Sequence, residues 1–287
     1  MRLARHGIRN RPFYHIVVAN AKSPRDGKHI EQVGIYDPIP DANGVKHIEW
    51  KENRIKYWLT VGAQPSFNHI YCINLPSRSD RREKVTTIAK YHNLDIDFIE
   101  AINKDDAKTL KHYLSDLAPP HKTCYASHYK TYELVVSNNY QSALILEDDV
   151  DFEVNIKDFL NAVQPFLPNN WEMFYLGNCA WDTSDIIYYN GADHGSDLIL
   201  SKSLRPACSH AYAVSLRGAK KLLEILVNVS KPVDVALIDL MLADKIFSLS
   251  LSPSIINQWK SKDDPSNISS GSQDEPHKLK NSTLELF

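Results

Sequence analysis

The sequence predicts an α/β protein in two parts: a small α+β module over residues 1–66, then a larger domain over residues 67–260 with a mostly parallel sheet. Three observations predict it. Residues 1–66 carry 11 Lys and Arg against 6 Asp and Glu, a net of +5, whereas the remaining residues carry 22 against 29, a net of −7. Such asymmetry argues for different partners on the two sides. Gly62-Ala-Gln-Pro65-Ser66 breaks the chain between them. Beyond that break, short apolar runs alternate with stretches of helical period.

The elements follow in order. Phe13–Ala19 reads as a strand, Ser23-Pro24-Arg25-Asp26-Gly27 as a turn, and Ile30–Tyr36 as a second strand closed by Asp37-Pro38. Asp41-Ala-Asn-Gly44 is another turn, and Glu52–Leu59 a helix with Ile55, Trp58 and Leu59 on one face. In the second part, His69–Asn74 is a strand. Asp80 and Glu83 form a capping box that opens a helix to about Tyr91. Strands are expected at Asp97–Ala101, Ser142–Leu146, Met173–Leu176 and His210–Ser215. Helices are expected at Ser127–Ser137, Ile156–Phe166, Leu216–Val229 and Val235–Leu242. Phe247–Ile256 reads as extended, and the Ser-, Lys- and Asp-rich residues 261–287 as a disordered tail.

Several classes are excluded. No stretch approaches the ~18–20 apolar residues of a membrane span, and the start has no apolar core of a secretory signal. Cys72, Cys124, Cys179 and Cys208 contain no CxxC pair, so they read as small buried hydrophobes in a reducing compartment. An intracellular, mitochondrial or cytoplasmic, location is expected, and the sequons at Asn228, Asn267 and Asn281 are chance matches.

Arg2, Arg5, His6, Arg9 and Arg11 crowd one end of the basic module, with Arg25 and Lys28 in the next turn. Clustered guanidinium and ammonium groups suit phosphate, although an ordinary solvated face has the same composition. The order of residues separates the two. Arg2-Leu-Ala-Arg-His-Gly7, Arg11-Pro-Phe-Tyr14-His-Ile-Val-Val-Ala19, Ile30-Glu-Gln-Val-Gly34-Ile-Tyr-Asp-Pro38, Asn53-Arg-Ile-Lys-Tyr-Trp58 and Gly62-Ala-Gln-Pro65 occur in unbroken order. They closely resemble small-subunit ribosomal protein sixteen of bacteria and mitochondria. The resemblance implies contacts with ribosomal RNA phosphates through these basic residues. That family has residues before the position of Met1 and a helical segment after Ser66, so the module reads as clipped.

In the acidic part, the strand Ser142–Leu146 runs into Glu147-Asp148-Asp149. Carboxylates at the C-terminal end of a strand lie where α/β sheets bind ligands, and hard oxygen ligands suit Mg²⁺ or Mn²⁺. In an extended segment residues 147 and 149 point to one side. An isolated Glu-Asp-Asp is also an ordinary solvated turn, so its surroundings decide. Asn74-Leu75-Pro-Ser-Arg78-Ser-Asp80-Arg81-Arg82 follows the first strand, and Cys124-Tyr-Ala-Ser127-His128 lies before the metal strand. Ser209-His210, Arg217-Gly218 and Pro232-Val233-Asp234 follow. In this order, over about residues 67–260, they resemble glycosyltransferase family 25, the family of lipopolysaccharide and procollagen galactosyltransferases. The resemblance implies a Rossmann-like GT-A fold, a nucleotide-sugar donor (commonly UDP-galactose), Mn²⁺, and inversion at the anomeric carbon. It places Glu147, Asp148 and Asp149 on the metal. Asn74, Arg78, Arg81 and Arg82 match the donor motif, and Ser127 and His128 match a Ser-His pair placed with the donor-binding residues. An inverting transfer needs a carboxylate base; Asp234 is the candidate and Asp239 the alternative, while Asp234 can also serve as a helix cap. His128 reads either as a hydrogen-bonding residue or as a catalyst, and His210 as structural. Gly177-Asn178-Cys179 can contact donor or acceptor, or simply end a strand.

Three whole-chain readings remain: a hexosyltransferase with a ribosomal-protein-like appendage, a ribosomal component carrying a passive transferase domain, or two reading frames joined in one gene.

Overall fold

The computed structural model describes residues 2–8, 11–19, 27–40, 47–60, 69–103, 117–180, 182–190, 198–227, 230–259 and 279–287. It divides into two units, Met1–Ser66 and Phe67–Phe287. Arg9, Arg25, most of the turn at 23–27, the turn at 41–44 and the break at 62–66 lie outside the described residues.

The first unit is a four-stranded antiparallel meander, β1 (Arg2–Ile8), β2 (Arg11–Val18), β3 (Glu31–Asp37) and β4 (His47–Trp50), followed by helix α1 (Glu52–Thr60). Two strands, β1 and β4, were not expected. The arginines and histidine of β1 hide its period-two pattern, and all of β4 is exposed. Gly7 adopts φ 90° at the β1–β2 turn, where a Cβ would overlap the Arg11 carbonyl oxygen, so glycine is required there. Among the described residues the buried core is small: Ala4, Val17, Val18 and Val33. A polar clamp supplements it. Arg54 donates two hydrogen bonds to Glu31, at 2.8 and 2.6 Å, and Trp58 Nε1 adds a third at 2.7 Å. The Arg54 guanidinium, with Trp58, holds the Glu31 carboxyl down at about 2. This clamp ties α1 to β3.

The register separates the basic residues. Arg2 faces Val17, His6 faces Phe13, and Arg5 faces Tyr14. Directly opposed residues share a face and neighbours along a strand alternate. Arg2, His6 and Arg11 therefore share the face of buried Ala4, and Arg5 lies on the other. Lys28 is exposed beyond β2. The predicted phosphate-binding set is thus spread over both faces of the sheet.

The second unit is a three-layer α/β/α sandwich. Its eight strands lie in the order β10-β11-β13-β9-β12-β7-β5-β6. The central strands are β5 (His69–Asn74), β7 (Ser142–Glu147), β9 (Met173–Gly177) and β12 (Ala211–Ser215). The remaining members are β6 (Asp97–Glu100), β10 (Thr183–Asn190), β11 (Leu198–Ser203) and β13 (Ser248–Ser252). The sheet is mixed rather than mostly parallel: β6-β5-β7 and β9-β13 pair in parallel, and the other neighbours are antiparallel. Parallel neighbours require a crossover, which helices α2 (Ser79–His92) and α3 (Pro119–Ser137) provide between β5, β6 and β7. By contrast, β12 follows the antiparallel pair β10–β11 and enters between β7 and β9 in the opposite direction.

Side chains alternate along each strand between the two outer layers. Tyr71, Ile73, Ala143, Ile145, Tyr175 and Tyr212 pack beneath α3, α5 (Leu216–Ile225) and α6 (Val233–Leu242). Ile70, Cys72, Leu144 and Leu146 pack on the opposite face against α2 and α4 (Ile156–Val163). Each fully buried aliphatic or aromatic side chain contributes about 1.5–3 kcal/mol. Glu172 pins α5 to the start of β9 by accepting from Arg217, Lys221 and the Phe247 amide. Burial alone would raise its pKa, but these donors outweigh burial and hold it below the ordinary value.

Helix α2 begins without the expected capping box. Its N-cap is Arg78, and Asp80 lies in the first turn, gripped by the Arg78 guanidinium. The segment expected as a tail also needs correction. Residues 260–278 lie outside the described residues, but 279–287 pack on the domain. β8 (Val150–Phe152) pairs with β14 (Ile256–Gln258), and Ser282 bridges Glu153 beside it. The Ser282 hydroxyl bonds Asp151, while Thr283 donates to the Phe152 carbonyl at 2.7 Å and meets His92 Nε2 at 2.9 Å. Leu284 packs on the core. A polar composition concealed these few anchoring residues. Among the described residues no helix is long and apolar enough to cross a membrane.

Gly177 ends β9 close to the β14 backbone. A Cβ there would overlap the Ile256 carbonyl oxygen and come within 2.5 Å of His210 Nε2. Gly177→Ala is expected to lower stability by about 1–3 kcal/mol, read as a lower urea midpoint; an unchanged midpoint would show that β14 yields freely.

Candidate active site

Glu147 is the last residue of β7, on the face that Ile145 shares with α3. Alternation therefore aims its carboxylate at that helix, where His128 Nε2 lies 3.2 Å from Oε1. Ser209 donates to the same oxygen at 2.7 Å. Behind His128, Nδ1 lies 2.8 Å from the Tyr212 hydroxyl, which lies 2.6 Å from that of Tyr132. Burial alone would push the Glu147 pKa up, but His128 and then Ser209 outweigh burial and hold it below the ordinary value. These two contacts orient Glu147 and favour its charged form.

β7 stops at Glu147, so Asp148 and Asp149 sit in a turn and strand alternation does not relate 147 to 149. Asp148 is buried and saturated: Arg81 donates to Oδ1 at 2.9 Å, while Asn74 Nδ2 and the Leu75 amide reach Oδ2 at 2.9 and 3.4 Å. Asp149 is less satisfied. Gln258 donates to Oδ2 at 3.3 Å and Arg81 stands 3.5 Å away, but buried Oδ1 has no hydrogen-bond partner. Burial first, and the Glu147 charge next, push the Asp149 pKa up from 3.8 to about 7.

The other predicted residues divide. Asn74 and Arg81 are brought to the carboxylates, where they hold Asp148. Arg78 pairs with Asp80, and Arg82 stacks over the Phe98 ring at 4.3 Å. Ser127 is buried and accepts from the Ile102 amide while donating to the Thr123 carbonyl, so its bonds are to backbone. His128 is a first contact of Glu147. Asp234 lies in the first turn of α6, whose N-cap is Pro232, and its carboxylate accepts from the Val235 amide. Its helix, α6, packs through Val233, Ala236 and Leu237 on the face of the sheet that Ile145 and Glu147 share. Asp239 is exposed and paired with Lys231 at 2.5 Å. His210 is buried, with Nε2 3.3 Å from the Ile256 carbonyl, in keeping with a structural role. The sequence reading assigned no role to Ser209, Tyr212 or Gln258. Their signal is position: Ser209 lies just before the strand beside β7, and Tyr212 within it.

Cys72 is buried as expected, but Cys179 and Cys208 form a disulfide. The reading of all four cysteines as reduced hydrophobes is thereby corrected: both cysteines sit at the ends of neighbouring strands, which sequence spacing could not reveal. The bond joins the loop after β9 to the loop before β12. Cys208 precedes Ser209, the donor to Glu147, and Cys179 Sγ lies 3.9 Å from the Gln258 side chain that reaches Asp149. Replacing both cysteines with serine is expected to cost about 2–4 kcal/mol. Comparing the Tm of the variant with oxidised and reduced wild type checks this; equal Tm values for all three would refute it.

The residues present fit a divalent cation. An ionised carboxylate with an unpartnered buried oxygen is costly, and a cation held at Asp149 Oδ1 would remove that cost with the hard oxygen ligand that Mg²⁺ and Mn²⁺ prefer.

An α/β sandwich that gathers three carboxylates at one strand end, beside an arginine-bearing first loop, has the make-up of a sugar transferase. Residues 67–237 match glycosyltransferase family 25 (LPS biosynthesis protein), and residues 5–66 match ribosomal protein S16. The chain belongs to glycosyltransferase family 25, and its first residues form a module of the S16 family. That module is similar to Arabidopsis thaliana small ribosomal subunit protein bS16m/bS16c, at 53% identity over 66 residues, covering 23% of this chain and 49% of that protein. It is 55% identical over 73 residues to Schizosaccharomyces pombe small ribosomal subunit protein bS16m, covering 23% of this chain and 76% of that protein. The match to Rickettsia rickettsii bS16 is 50% over 66 residues, 23% of this chain and 60% of that protein. This chain thus spans about half of the Arabidopsis relative's length.

Proposed function

We propose that the domain moves a hexose, galactose from UDP-galactose, to an acceptor hydroxyl with inversion, using Mn²⁺ or Mg²⁺ held by Glu147 and Asp149. The observation that carries this reading is the buried, unpartnered Asp149 oxygen beside the oriented Glu147 carboxylate. When bound, the ion would offset charge on the departing nucleoside diphosphate. Asp148 orients the site rather than contributing a free ligand, because Arg81 and Asn74 occupy it. Arg78, the N-cap of α2, pairs with Asp80 and would exchange it for a diphosphate oxygen. Asp234 accepts the acceptor's proton as the new bond to the anomeric carbon forms and the bond to the diphosphate breaks. Hydrolysis or transfer from UDP-galactose, measured with and without Mn²⁺, tests the proposal. Turnover that requires the ion is the expected result; no turnover and no nucleotide binding would overturn it.

The basic module favours a second partner. Its net charge of +5 and the exposed Arg5, Arg11 and Lys28 support contacts with ribosomal RNA phosphates. Co-sedimentation of the intact chain with small ribosomal subunits, weakening as salt rises, is expected; a chain found only in the soluble fraction would overturn this assignment.

A further inference from the structure

We propose that Cys124, His128 and Glu147 form a zinc-binding site distinct in ligand chemistry from the Mn²⁺ or Mg²⁺ site. Cys124 and His128 are separated by four residues on α3, so they project from one face of the helix. Glu147 meets that face from the end of β7. The cysteine sulfur, a histidine nitrogen and a carboxylate oxygen all lie within 4.8 Å of one another. Zinc bonds of about 2.0–2.3 Å to N, O and S ligands can span such a triangle with small shifts of its side chains.

The ligand types select the ion. A thiolate and an imidazole favour zinc, whereas Mg²⁺ and Mn²⁺ take oxygen. The surroundings supply what such a site needs. A zinc-bound histidine holds its other ring nitrogen on a hydrogen-bond partner; His128 Nδ1 has the buried Tyr212 hydroxyl at 2.8 Å, leaving Nε2 toward Glu147. Ser209 fixes the carboxylate from the other side at 2.7 Å. Burial first, and the charges of Glu147, Asp234 and Asp149 next, push the Cys124 thiol up, so the thiol gives up its proton to the arriving ion, which those same charges attract. Cys124 and Glu147 are partly exposed and His128 is buried, so the ion enters from the open side and a water completes its coordination.

The site does not rest on the sugar-transfer reading, although the two share Glu147: zinc bound there competes with Mn²⁺ for that carboxylate. The test uses the full chain, kept free of reductant and titrated with Co²⁺ as a visible substitute for zinc. A thiolate-to-cobalt charge-transfer band, removed by one equivalent of Zn²⁺, is expected. Cys124→Ser should abolish the band and Cys72→Ser should keep it. Tyr212→Phe should weaken Zn²⁺ binding by about 10–100-fold. Absence of the band in the wild type, or its persistence in Cys124→Ser, would overturn the assignment. Neither outcome involves sugar turnover, so this proposal and the transferase proposal fail separately.

Discussion

Replacing Asp149 with asparagine is expected to reduce ion-dependent transfer by on the order of a thousandfold while leaving the fold as stable as before, or more so. A bound metal ion supplies several kcal/mol at the leaving group, and each ~1.4 kcal/mol is tenfold in rate. Asparagine keeps the shape but not the charge that holds the ion. Stability does not suffer because the buried carboxylate beside Glu147 is costly when ionised, which is why its pKa rises to about 7. The folded protein therefore binds a proton over the range in which the unfolded chain, titrating near 4, has lost it. Wild-type stability should fall as pH rises from about 4 through 7, and Asp149→Asn should lose this contribution. Mn²⁺ affinity should rise over the same window, since the ion displaces the proton. Rate assays, calorimetric titration and denaturation across pH check these points together. A variant that keeps ion-dependent turnover would remove Asp149 from the metal site.

Much of this site was legible in the sequence because it depends on order. β5 and β7 are apolar runs, each ending in polar residues, and the Glu147-Asp148-Asp149 cluster stands out at such an end. What the sequence could not show is how each polar group is used. Asn74 and Arg81 sit in a loop suited to a nucleotide, yet tertiary packing turns them onto Asp148. Ser127 looked like a site residue beside His128, but adjacent positions on a helix face different directions, and only His128 reaches Glu147. The Cys179–Cys208 bond, the Tyr212–His128 contact and the return of Ser282 and Thr283 to β8 join residues far apart in sequence. No local pattern encodes such closures. The antiparallel entry of β12 escaped for a similar reason, because strand order depends on pairing rather than on period.

Asp148→Ala is expected to behave in the opposite way from Asp149→Asn, by destabilising the fold. Arg81 is 5% exposed and Asp148 9%, and their bond is 2.9 Å. Removing Asp148 takes from Arg81 its 2.9 Å carboxylate and leaves Asp149, at 3.5 Å, to carry part of the charge, a loss of about 3 kcal/mol, the lower end of the cost of breaking a buried pair. In a unit of this size that cost lowers Tm by roughly 10 °C. The loss should also spread to β5, because Asn74 Nδ2 and the Leu75 amide lose their acceptor at the same time. The double variant Arg81→Met, Asp148→Leu distinguishes a structural pair from a metal ligand. If the pair serves orientation and stability, apolar replacement of both partners should recover most of the lost Tm. Ion binding through Glu147 and Asp149 should persist in part. If Asp148 is instead a required ligand, the double variant should regain stability but bind no Mn²⁺. Comparing Tm with Mn²⁺ titration in the single and double variants therefore decides whether the middle carboxylate holds the ion or anchors Arg81 and the loop after β5.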